Sequence, residues 1–172
     1  MGLDMYLYKK TYVGNSFNDE PHERTQVEVR LDGKTHPAIQ PHRVSSIQES
    51  VAYWCKANHI NQWMMDNGTS SSDSPDFYEL DLEQIQELVE LCKAIIQGEK
   101  DPKVDLPTDT SFSDDEYDED DEVEDDEDDE DDDEVSPYGQ DYFNGCQETI
   151  DMLEPLLQEP ESDSVFIYTV SY

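Results

Sequence analysis

The sequence predicts an α+β domain: a small, mostly antiparallel sheet made of N-terminal strands plus a C-terminal strand, with about three helices on one face. Three observations lead there. Leu3 to Val13 and Val165 to Tyr172 are rich in aromatic and β-branched residues, as strands are. Between Leu82 and Ile96 the apolar residues recur at three- and four-residue steps, the pattern of an amphipathic helix. Strands come first, helices fill the middle and a strand closes the chain. That order suits helices segregated to one side of an antiparallel sheet.

In the first strand Leu3, Met5 and Leu7 alternate with Asp4, Tyr6 and Tyr8, so one side faces a core. Gly14-Asn15 marks a turn, and Ser16 to Thr25 is polar and loop-like. Gln26 to Leu31 alternates again, with Val27, Val29 and Leu31 on one face, and Asp32-Gly33 is a hairpin signal. His36-Pro37 and Gln40-Pro41 hold the next segment extended. A first helix is expected from Ser46, where Ser46 and Glu49 have capping-box spacing. Ile47, Val51, Trp54, Cys55, Trp63 and Met64 would share its broad apolar face, and Asn67-Gly68 would end it in a left-handed conformation. Thr69 to Asp76 reads as a linker, and Phe77 to Leu80 as a short strand or extended entry.

The second helix is capped by Asp81 with Gln84, runs through Leu82, Ile85, Leu88, Val89, Cys92, Ile95 and Ile96, and stops at Gly98. A third begins near Gln140 and buries Tyr142, Phe143, Cys146, Ile150, Leu153 and Leu157; Pro155 should kink or end it. The final strand, Val165 to Tyr172, is apolar on both faces and so belongs inside the sheet.

The chain is long enough for one domain, 1–172, interrupted by an acidic loop over 108–137. Within it, nineteen of the twenty-one residues from Asp114 to Glu134 are acidic. Such a stretch has almost nothing to bury against the entropy of ordering it, and its carboxylates repel one another, so a mobile loop is expected. The formal net charge is −35, of which this run carries −19 and the other residues −16. A surface of that sign disfavours direct nucleic-acid and anionic-membrane binding, both of which need basic patches. A basic protein is the partner that such a field attracts.

Cys55, Cys92 and Cys146 are odd in number and lack framework spacing; with all three expected in helices, they point to a reducing cytoplasm rather than to disulfides. The opening residues lack the features of a signal peptide, Tyr6 stands where a myristoylation site needs Ser or Thr, and no apolar stretch is long enough to span a membrane. A soluble intracellular protein is expected.

GLDMYLYKK (Gly2 to Lys10), YWCKANHINQWMMDN (Tyr53 to Asn67), FYELDLEQIQELVELC (Phe77 to Cys92) and ETIDMLEPLL (Glu148 to Leu157), with the closing aromatic strand, resemble a family of small phage and prophage proteins. The resemblance covers most of the chain outside the acidic run and implies a viral or mobile-element origin without implying an activity. The chain departs from the family where a short aromatic loop would be expected and the acidic run stands instead.

Candidate chemistry is thin. Cys55 and His59 are four apart, a spacing that on one helix suits a metal or a nucleophile pair, but no second ligand pair exists and a core cysteine is the plainer reading. Tyr53, Trp54 and Trp63 on one helix would make a base-stacking platform, although the same spacing describes a core face and basic neighbours are few. The run lacks the glycine and register of a calcium loop. No catalytic residue, resident metal or cofactor is therefore expected.

The run itself has two readings. One is a solubilising insertion on a protein-binding adaptor domain. The other is a polyanion that imitates nucleic acid on a basic, nucleic-acid-binding host defence protein such as a CRISPR or restriction effector. In that second reading the contact residues are Asp114, Asp115, Glu116, Asp118, Glu119, Asp120, Asp121, Glu122, Glu124, Asp125, Asp126 and Glu127. Extended, the run would reach about 70 Å, and Asp81, Glu83 and Glu87 of the second helix would enlarge the surface. The acidity of the rest of the chain favours mimicry, since a solubilising tail needs no acidic body.

Overall fold

A computed structural model of the protein describes residues 3–14, 20, 25–71, 74–108, 138–160 and 162–171. The strands are β1 (Asp4–Tyr12), β2 (Arg30–Leu31), β3 (Lys34–Thr35), β4 (Ser46–Cys55), β5 (Thr69–Ser71), β6 (Ser74–Leu80) and β7 (Ser164–Ser171); the helices are α1 (Asn58–Asn67), α2 (Leu82–Ile96), α3 (Pro102–Asp105) and α4 (Gln140–Leu153). Five strands form one antiparallel sheet in the order β4-β1-β7-β6-β5. The two-sided apolar strand β7 lies at its centre, as its sequence requires.

One face of this sheet packs against α1, α2 and α4. Met5 and Leu7 of β1, Trp54 of β4 and Phe166 and Tyr168 of β7 point into that interface with Ile60, Met64, Ile85, Leu88, Cys92 and Leu153 from the helices, all buried. Two side-chain hydrogen bonds tie helices to strands inside it. Trp54 Nε1 donates to Thr149 Oγ1 of α4 at 2.9 Å, and the Tyr168 hydroxyl donates to Asn61 Oδ1 of α1 at 2.6 Å. Lys9 also points inward and is buried, its ammonium paired with Glu159.

The helix expected from Ser46 is instead strand β4. Its ten residues pair antiparallel with β1, and the register shifts between Leu7, opposite Ala52, and Tyr8, opposite Ser50. Val51 is the extra residue of a bulge, which resets the inward side and disguises the two-residue period in the sequence. Pairing with β1 overrides the local capping pattern of Ser46 and Glu49, as tertiary context commonly does for strands. The chain turns at Lys56, which has φ 58°, and the helix begins only at Asn58.

Three smaller corrections follow from the same cause. Of Gln26 to Leu31 only Arg30–Leu31 is a strand, paired with Lys34–Thr35 as a separate ribbon. The Asp32-Gly33 turn does form, with φ 52° and 77°, as a two-residue hairpin requires. The expected linker from Thr69 holds β5 and the start of β6. Gly68 is extended, φ −74°, rather than left-handed. A Cβ there would lie 2.7 Å from the Met64 carbonyl oxygen and 2.8 Å from Tyr78 Cβ, so close approach is what requires glycine.

The later elements match expectation. Asp81 and Gln84 form the capping box of α2, each bond 2.8 Å. Helix α4 stops at Leu153, and Pro155 sits in a 3₁₀ turn over Glu154–Gln158. No described helix is long and apolar enough to cross a membrane.

The second face of the sheet carries Asp4, Tyr6, Tyr8 and Lys10 of β1, with Tyr53 opposite Tyr6. Among the described residues none on this face is fully buried. The Tyr53 hydroxyl donates to Asp4 Oδ1 at 2.6 Å, and this bond to a carboxylate, joined by burial, pushes the phenol up to about 12. The folded value exceeds the ordinary 10.0, so the stability from this contact is complete below about pH 10 and lost as pH rises towards about 12. Absorbance titration of the tyrosinates should show this late ionisation and lose it in Asp4→Asn. A curve unchanged by that substitution contradicts the assignment.

Candidate functional site

The acids of the folded body gather on the helical layer. Burial of Ile85, Leu88, Val89 and Cys92 fixes the inward side of α2, so Glu83, Glu87 and Glu90 form one row on its solvent side. On α4, burial of Tyr142, Cys146, Ile150 and Leu153 turns Asp141, Glu148 and Asp151 outwards in the same way. The two helices pack on each other, and both rows face solvent.

Beside the α2 row lies a groove of about 470 Å³, lined by Trp63 of α1, Glu87, Glu90, Leu91 and Ala94 of α2, Lys100, and Asp105 of α3. Lys100 is held towards Asp105, Nζ to Oδ1 3.7 Å, and Gln86 Nε2 donates to Glu90 Oε1 at 2.7 Å. Carboxylates around a half-buried indole over an apolar floor suit a cationic group, which gains Coulomb attraction and the ring's negative face together.

The described residues that precede position 109 lie next to this groove. Leu106, just after Asp105, is buried, and its carbonyl accepts the Tyr142 hydroxyl at 2.8 Å. Lys103 Nζ lies 6.0 Å from the centre of the Tyr138 ring, which packs on Tyr142 at 5.2 Å. The residues flanking 109–137 therefore leave and rejoin the fold at one corner, between α3 and the start of α4. Comparisons with protein-family models, with curated proteins and with solved structures found no match for the chain.

The expected contact residues Asp114 to Glu127 lie outside the described residues. Of the helix acids, Asp81 is engaged as the α2 cap, while Glu83 and Glu87 stand on the exposed row. Glu90 was findable by continuing that row one turn. Trp63 and Asp105 were not, because tertiary packing brings them to α2.

The Cys55–His59 pair does not form. Cys55 ends strand β4 and is exposed, whereas His59 is buried on α1. The stacking platform fails for the same reason: Tyr53 and Trp54 alternate on a strand, one exposed and one buried, and Trp63 is on α1.

His59 meets other partners. Its ring lies 4.2 Å from that of Tyr142, beside Cys146, and its Nε2 is buried without a hydrogen-bond partner among the described residues. The Cys92 thiol and, after it, the nearby His59 imidazole hold Cys146 below the usual thiol range, while the Cys146 contact and burial push Cys92 up. A thiol beside an imidazole has the makings of a nucleophile. These are sealed in the core, with Cys92 and Cys146 wholly buried and neither lining the Trp63 groove. Among the described residues, no group of three His, Cys, Asp or Glu could hold a metal ion.

Proposed function

We propose that the protein is a phage-derived, non-enzymatic inhibitor that occupies the nucleic-acid-binding channel of a basic host defence protein, a CRISPR or restriction effector. The observation that carries this reading is the clustering of exposed acids on α2 with the Trp63 groove, in a chain that also carries the Asp114–Glu134 run. The resemblance to small phage proteins supports the origin. The run, carrying −19, supplies a long-range field that steers encounter and lies along the partner's basic track. The groove takes a lysine or arginine side chain at the edge of that track, and the rows on α2 and α4 complete the anionic face.

The test is competition for loading of labelled nucleic acid onto purified basic effectors, at low and high salt. The parent should block loading at low salt and progressively less as salt screens the charges. Conversion of the run's carboxylates to amides should weaken inhibition by about tenfold or more, with a shallower salt dependence. Glu87→Gln with Glu90→Gln should weaken it further. An effector panel that loads normally beside the parent at low salt overturns the proposal. A partner bound equally well by the amide variant favours the adaptor reading.

A further inference from the structure

We propose that the second face of the sheet, where none of the described residues is fully buried, binds an arginine side chain presented by a cationic partner segment, with its guanidinium stacked between the rings of Tyr6 and Tyr8. This rests on the sheet alone and does not depend on the acidic groove.

Strand alternation stands Tyr6 and Tyr8 side by side on β1, their rings within 13° of parallel and their centres 6.5 Å apart. Tyr6 is braced by Tyr53, 5.3 Å away on the neighbouring strand, and Tyr53 is in turn fixed by its hydrogen bond to Asp4. A planar group midway would sit roughly 3.3 Å from each ring centre, slightly inside the ~3.5–4.0 Å optimum for contact. The rings need part by about 0.5–1.5 Å to reach that optimum on both sides, and both are only half-buried.

The chemistry of the face selects the occupant. A guanidinium is planar and weakly hydrated, so it stacks on aromatic rings where an ammonium acts as a hydrated point charge. Asp4 adds a carboxylate on the same side of β1. Lys10, also on this side, lies 5.1 Å from the centre of the Tyr12 ring, so the face already holds one cation against a tyrosine. A nucleobase would fit the same gap, but its phosphates meet a chain of net charge −35. A second copy of the chain brings an equal negative charge and is repelled.

The experiment is an aromatic-resonance NMR titration of the full chain with an arginine-glycine repeat peptide, at salt high enough to screen the acidic run. The Tyr6, Tyr8 and Tyr53 ring signals should shift and saturate, and the matched lysine peptide should bind more weakly. Tyr8→Leu should lower affinity for the arginine peptide by about tenfold. Exposed Tyr53→Ala, which leaves the core intact, should also weaken it. Four results overturn the proposal: shifts confined to the acidic run or to Trp63; equal affinity in both variants and the parent; concentration-dependent shifts of the tyrosines without peptide, which make a second copy the occupant; or tighter binding of a single-stranded oligonucleotide to the same rings, which makes it a base.

Discussion

Replacing Trp54 with alanine is expected to lower stability by about 3–5 kcal/mol, the range for removing a large aromatic from a core. Trp54 is 1 % exposed, faces Met5 across the β4–β1 pair and donates its indole N–H to Thr149. Alanine leaves a cavity between sheet and α4 that the surrounding strands cannot close. Thr149 keeps one bond, since its hydroxyl also donates to the Gly145 carbonyl at 2.7 Å, so the loss is mainly packing. At this chain length a melting point falls by about 2–4 °C per kcal/mol, giving a drop of roughly 10 °C. The adjacent Tyr53, 48 % exposed, should cost under about 1 kcal/mol on the same change. Denaturant and thermal melts of the two variants decide the matter. Equal losses at both positions would mean that Ser46–Cys55 does not alternate as a strand.

Gly145 should respond in the opposite sense to an ordinary helix glycine. In an exposed helix interior, alanine gains about 0.5–1 kcal/mol over glycine. Here an added Cβ would lie 2.9 Å from His59 Cε1 and 3.1 Å from Nε2. The His59 ring is buried and packs on Tyr142, so moving it aside would disturb that contact. Overpacking of this kind costs about 1–3 kcal/mol, so Gly145→Ala should be net destabilising and Gly145→Val more so. Removing the obstacle should reverse the sign. In a His59→Ala background, Gly145→Ala should cost nothing or stabilise, with a coupling of about 1–3 kcal/mol in the double-mutant cycle. A stabilising Gly145→Ala in the parent would show that α4 and α1 are further apart than described.

Local signals were legible wherever one element's own pattern sufficed. The α2 cap, its buried stripe and its acidic row all follow from a 3.6-residue period, and the end of α4 follows from Pro155. The bulge at Val51 hid β4, because an extra residue breaks the two-residue period that identifies a strand. The partner that makes it a strand, β1, lies more than thirty residues upstream.

The sequence by itself determined the acidity, the amphipathic helices α2 and α4, the place of β7 inside the sheet and the α+β class. Each is a property of composition or of one segment's periodicity, which reports which side of an element is buried. Only the tertiary structure decided what does the burying. It joined Trp63 and Asp105 to the α2 acids, brought His59 to Cys146 instead of Cys55, brought Leu106 and Tyr142, on either side of residues 109–137, together, and set a row of tyrosines on the far side of the sheet, where none of the described residues is fully buried. Those juxtapositions depend on long-range pairing and packing, whose energies come from contacts between residues far apart in the chain and leave no local mark on it.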